Sequence, residues 1–127
     1  MIAADTSSLI AFFSGTSGTD VDAIQKGFEQ SQIALPPVVL SELLSAPNMT
    51  SKLAQQLIAI QQLKLAEKYW IRVGELRRTL LKKKQKARLA DTMIAQSCID
   101  HDIPLITRDR DFQKFVPLGL QLAIQWH

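Results

Sequence analysis

The sequence predicts an α/β domain: one parallel sheet of about five strands, with helices on both sides. Three observations carry that expectation. Short apolar runs alternate with helical patterns along the chain, as β-α-β units require. The runs are apolar throughout rather than in alternation, the form of strands buried on both faces. Two acids, Asp5 and Asp109, stand immediately after such runs. In open parallel sheets that edge is where ligands bind.

The elements follow in order. Residues 1–4 (MIAA) are the first strand, closed by Asp5. Thr6, Ser7 and Ser8 are residues that start helices, and 9–13 continue as a short one. Residues 14–19 (SGTSGT) form a loop. A helix is expected over 20–31, where Val21, Ile24 and Phe28 recur at helical spacing behind first-turn acids. Gly27 weakens it by about 1 kcal/mol of propensity. Residues 33–35 are a second strand, stopped by Pro36 and Pro37. Proline is tolerated at a helix start, and 38–45 is a helix carrying Glu42. Thr50 caps a helix running to about residue 62. A third strand is expected at 64–66, and a helix over 69–81 with Trp70, Val73, Arg77 and Leu80 in one row. Residues 82–88 are a solvated turn. A helix over 89–101, a strand at 104–107 and a last strand at 120–124 complete the chain.

At 127 residues the chain is one domain, 1–127, long enough to bury its own core. The single cysteine, Cys98, excludes an internal disulfide and offers no zinc-site spacing. No apolar run reaches the ~20 residues of a membrane span, and the N-terminus lacks the basic region of a secretion signal. A cytoplasmic protein without a membrane partner is expected. The net charge is only +3, but eight of the 15 basic residues fall between Arg72 and Arg88 against one acid, Glu75.

Asp5, Glu42, Asp91 and Asp109 are the candidate site. Each alone has an ordinary explanation. Asp5 caps a helix, Glu42 faces solvent, Asp91 favours a helix dipole, and Asp109 forms a turn. Their joint placement at strand and helix ends is what points to a pocket. Converging carboxylates repel by about 4 kcal/mol per pair at ~4 Å and an effective dielectric of ~20. A cation or protonation must relieve that. Carboxylates without cysteine or histidine partners favour a hard cation such as Mg²⁺, which suits phosphodiester hydrolysis. Thr6, Ser7 and Thr107 supply supporting hydroxyls. The basic stretch complements the acids, because Lys/Arg clusters bind phosphate backbones without reading sequence. Lys82, Lys83, Lys84, Arg88 and Arg108 are candidate contacts to the phosphates of a nucleic acid, and Arg110 also flanks Asp109. The ordinary alternative for the run is a solvated helix end. Tyr69 and Trp70 suit a core or a dimer surface better than base stacking.

Four segments in order, MIAADTSSLIAFF, PPVVLSELL, LADTMIAQSCIDHDIPLIT and TRDRDF, resemble the PIN-domain ribonucleases, specifically the VapC-type toxins of prokaryotic type II toxin–antitoxin pairs. The resemblance covers nearly the whole chain. It implies that Asp5, Glu42 and Asp91 are the first three family acids and Asp109 the fourth, with Asp111 the competing choice. Ser7 and Thr107 match supporting positions. It further implies a Mg²⁺- or Mn²⁺-dependent endoribonuclease that cleaves tRNA or ribosomal RNA. It also implies a homodimer inhibited by a small cognate antitoxin. A PIN-like nuclease of RNA maturation or DNA processing and a non-catalytic PIN-like binding protein are the alternatives. A signalling receiver is disfavoured: it needs an acid pair after the first strand, where Asp5 stands alone, and an Asp beside Ala66. A phosphatase with an Asp nucleophile needs an acid at position 7, which is Ser. The scattered glycines form no phosphate loop.

Overall fold

The computed structural model describes residues 1–125. Its centre is β1 (Ile2–Ala4), where Ala3 and Ala4 have no exposed surface. Small side chains let helices press on both faces of this strand. β2 (Ile33–Leu35) pairs with it on one side and β4 (Leu105–Ile106) on the other, both parallel. β3 (Gln61–Gln62) pairs with β2, so the order is β3-β2-β1-β4. The chain steps outward from β1 through β2 to β3, then returns to the opposite side of β1. The switch point therefore lies between β1 and β4, where a crevice opens beyond the strand ends.

Among the described residues six helices cover the sheet: α1 (Thr6–Phe13), α2 (Thr19–Glu29), α3 (Val39–Leu44), α4 (Ser51–Ile58), α5 (Tyr69–Lys82) and α6 (Leu89–His101). A 3-10 helical segment, Arg110–Leu118, follows β4, and its Phe112 and Phe115 are completely buried. The largest buried side chains, among them Leu9, Ile24, Leu57, Leu80 and Ile94, come from several helices and converge on the sheet. Among the described residues, no helix is long and apolar enough to cross a membrane.

Two expected strands change. The helix expected to reach residue 62 stops at Ile58, and the third strand forms at Gln61–Gln62 rather than at 64–66. Both glutamines are exposed on the sheet edge, so no apolar signal marked them. The expected strand at 120–124 is reduced to one parallel bridge, Leu105 with Leu122. β4 is two residues long and offers little more to pair with. The sheet is thus four-stranded with a bridged fifth position.

α5 and α6 are clamped together. The Tyr69 hydroxyl donates to the Met93 carbonyl, and Arg72 and Gln96 both donate to the Asp100 carboxylate. Tyr69 is core as expected, whereas its neighbour Trp70 is exposed.

Gly27 is explained by packing. A Cβ there would lie 2.4 Å from Cδ1 of Ile33 and 2.8 Å from its Cγ1. Gly27→Ala gains about 1 kcal/mol of helix propensity but overpacks a buried side chain at a typical cost of about 1–3 kcal/mol. A net loss of about 1 kcal/mol is expected in urea unfolding. A more stable variant would mean that Ile33 moves aside freely.

Candidate active site

Asp5 lies at the carboxyl end of β1 and at the N-cap position of α1, yet its side chain makes no capping bond there. It turns instead to two hydroxyls: Ser7 Oγ donates to Asp5 Oδ2 at 2.8 Å and Thr107 Oγ1 donates to the same oxygen at 2.9 Å. The ordinary explanation of Asp5 as a cap is therefore set aside. Thr107 follows β4, so this pair of bonds ties the two strands at the switch point. Burial pushes the Asp5 carboxyl up, opposed by the bonds from Ser7, Thr107 and the Thr6 backbone, with the Glu42 charge adding to the rise.

Glu42 reaches the same edge from α3. It is exposed, and Thr6 Oγ1 donates to its Oε1 at 2.7 Å. α3 begins after Val38, which holds φ 71°. A β-branched residue rarely adopts that left-handed conformation, and it turns the chain from Pro36-Pro37 into the helix that carries Glu42. The Val38 carbonyl then accepts the Glu42 N–H at 2.8 Å.

Asp91 comes from the first turn of α6. Its Oδ2 is buried and has no hydrogen-bond partner. Burial first, then the charges of Asp109 and Asp5, push its carboxyl up to about 6, while Arg88 and Lys114 pull it down. Asp109 opens the 3-10 segment, where its Oδ1 accepts the Asp111 N–H at 2.9 Å and its own N–H donates to Thr107 Oγ1 at 3.0 Å. Asp111 is exposed. The four expected acids thus form one electrostatic chain, Glu42 to Asp5 to Asp91 to Asp109.

The cations divide. Arg88 precedes α6, and Lys114 donates to the Lys86 carbonyl from the 3-10 segment, so both stand near Asp91. Lys114 was not singled out from sequence, because nothing in its neighbourhood signals the 3-10 turn that brings it there. Lys82, Lys83 and Lys84 are exposed at the end of α5. Arg108, expected as an RNA contact, is held by a second acid. Its Nε and Nη2 donate to Asp20 Oδ2 and Oδ1 at 2.8 and 2.9 Å. Ser8 also donates to Asp20, at 2.8 Å. That pair anchors the turn bearing Thr107 and Asp109 to α2, a pairing across 88 residues with no local signal in sequence.

Among the described residues, no group of three or more carboxylate, histidine or cysteine side chains is arranged to hold an ion directly. Mg²⁺ does not require one, since it keeps several waters and binds through one or two carboxylates. A buried carboxylate oxygen without a partner, beside two further negative charges, is what such a hydrated cation satisfies. The residues present fit the ion.

Fold and site define a class. A family model described as PIN domain matches residues 2–116, and the chain belongs to that family, a family of nucleases. Among solved structures the chain is similar to one titled "Crystal structure of VapBC2 from Rickettsia felis bound to a DNA fragment from their promoter". The TM-score is 0.73 at 22% identity, with 100% of each chain covered. No curated protein sequence matches this chain.

Proposed function

We propose that this protein is a Mg²⁺- or Mn²⁺-dependent endoribonuclease acting as the toxin of a type II toxin–antitoxin pair. The observation that carries the proposal is Asp91 Oδ2: a buried carboxylate oxygen without a partner, close enough to Asp5 and Asp109 to feel both charges. Membership of the PIN family supports nuclease chemistry. The likeness to a VapBC2 structure supports the toxin role and a small cognate antitoxin as partner. Structured RNA, tRNA or ribosomal, is the substrate class proposed. A homodimer in the cytoplasm is the proposed setting.

In this proposal Asp91 would hold a hydrated cation directly, and Asp5, Asp109 and Glu42 would reach it through its waters. When bound, the cation polarises a phosphodiester oxygen and lowers the pKa of water for attack on phosphorus. The chain's own residues do the rest. Ser7 and Thr107 fix the rotamer of Asp5. Thr6 holds Glu42 where it can accept a proton from the attacking water. Arg88 and Lys114 lie where the phosphates of the substrate would pass, and their charges help keep Asp91 ionised at neutral pH. Asp109, rather than Asp111, is proposed as the fourth acid because its charge acts on Asp91.

The test is cleavage of total cellular RNA by purified protein. Discrete fragments with Mg²⁺ or Mn²⁺, abolished by EDTA and restored by excess metal, are expected. Equal cleavage in EDTA would refute the mechanism. Suppression of that cleavage by a co-purifying antitoxin separates a toxin from a nuclease of RNA maturation.

A further inference from the structure

A groove of about 500 Å³ lies between the last turns of α5 and the start of α6. Gly74, Arg77, Arg78, Leu81, Lys82 and Leu89 line it. We propose that this groove binds a single-stranded stretch of the RNA on its way to the acid pocket. The proposal rests on the nuclease assignment above and adds the path of the substrate.

Four observations point there. The first is charge. Arg77, Arg78 and Lys82 wall the groove, and Lys83, Lys84 and Arg88 continue the same sign toward Asp91. Arg78 and Lys82 make no hydrogen bond or ion pair among the described residues, so nothing in the protein neutralises them. Arg77 is fixed by donating from Nε to the Ala87 carbonyl at 2.8 Å, which also staples α5 to the connection before α6.

The second is apolar surface without a core role. Leu81 and Leu89 are each about half exposed on the groove. Trp70, Gly74, Arg78 and Leu81 stand at helical spacing along one face of α5, and Trp70 is exposed. Aromatic and apolar faces beside cations are how sequence-tolerant proteins hold unstacked bases.

The third is room. A Cβ on Gly74 would meet nothing within 4 Å, so the glycine leaves the groove floor open. No positive φ or close approach requires a glycine there. The fourth is direction. Leu89 opens α6 two residues before Asp91, and Arg88 lies near enough to act on the Asp91 carboxyl.

A second copy of this chain is the other candidate occupant. A two-fold contact through this face would bring two surfaces of the same positive sign together. A polyanion neutralises those charges, whereas a like-charged partner does not.

The test measures binding of a single-stranded RNA of about 12 nucleotides in EDTA, by fluorescence anisotropy across a salt series. Removing two phosphate contacts with Arg78→Gln/Lys82→Gln is expected to raise Kd about tenfold and to flatten the log–log salt slope by about 1.4, at roughly 0.7 per contact for single strands. Gly74→Leu should raise Kd several-fold with the slope unchanged, because it fills the groove without altering charge. Its melting temperature should not fall, since leucine is the better helix former. Wild-type Kd and slope in all variants, or no RNA binding by the wild type, would overturn the proposal. So would a change of oligomeric state in light scattering with RNA binding intact, which would make the face a protein interface. Metal-dependent cleavage with an unchanged KM in these variants would defeat the groove while leaving the nuclease standing. Groove-dependent binding without cleavage would do the reverse.

Discussion

Asp91→Asn is expected to lower metal-dependent RNA cleavage by at least about a hundredfold while raising the stability of the metal-free protein. Outer groups around a metal cost about 10–100-fold when lost, and a direct ligand costs more. Asparagine keeps the shape of the side chain and removes the charge, so the fold is retained. The stability gain follows from the carboxyl's shift. Its ordinary value is 3.8 and burial with two neighbouring acids raises it to about 6. Between pH 4 and 6 the folded state therefore binds more protons than the unfolded state, and the metal-free wild type loses stability as pH rises. Above pH 6 the full penalty is present. Each unit is 1.36 kcal/mol, and partial exposure reduces the total to about 1–2 kcal/mol. The asparagine variant has no such slope. Thermal melts in EDTA at pH 4, 5, 6 and 7, beside cleavage assays in Mg²⁺, read both effects. A variant that cuts RNA at the wild-type rate would remove Asp91 from the site.

Arg108→Ala is expected to destabilise the protein at neutral pH and to reduce cleavage more than tenfold. Asp20 is buried, and the Arg108 guanidinium, with Ser8, holds its carboxyl down at about 2. Its ordinary value is 3.8, so the bonded carboxylate stabilises the fold above pH 4 and that stability is lost as pH falls from 4 to 2. Solvent around the exposed guanidinium screens the pair, so the shift is worth about 1 kcal/mol. Removing the arginine leaves a buried charge without its counter-ion, the expensive way to break such a pair. Asp20→Asn should be milder, because it leaves an exposed cation and no buried anion. Activity falls because Arg108 sits between Thr107, which bonds Asp5, and Asp109, which acts on Asp91. Gly18 supports the same pair: a Cβ there would come within 2.5 Å of Asp20 Oδ1 and 2.9 Å of Arg108 Nη2. Acid denaturation followed by circular dichroism checks the prediction. An Arg108→Ala protein with wild-type stability between pH 2 and 7 would show that the pair contributes nothing.

Much of the fold was legible because periodicity reports burial. The limits of β2 and α6 coincide with those expected, since an apolar run marks its own ends and a largely buried helix shows as an apolar stretch. Gln61–Gln62 was illegible because an exposed edge strand needs no apolar residue. The 3-10 segment was illegible because Phe112 and Phe115 are spaced three apart, a period shared with an α-helix, and Pro117 interrupts it. The positions of the four acids could be read from strand and helix ends. The partners that aim them could not. Arg108 with Asp20 and Lys114 with the Lys86 carbonyl join distant positions, and nothing beside either residue announces the other.

The sheet order has a consequence for biosynthesis. β1, made before the other strands of its sheet, is central and remains without one neighbour until β4 is released. Asp5 waits for a hydroxyl 102 residues later, and the Asp109 charge arrives with it. A nascent chain on the ribosome thus carries Asp5 and Glu42 long before the cluster can close. Its activity would switch on only after β4 and the turn behind it are made, a built-in delay for a protein whose proposed substrates include the machinery that is making it.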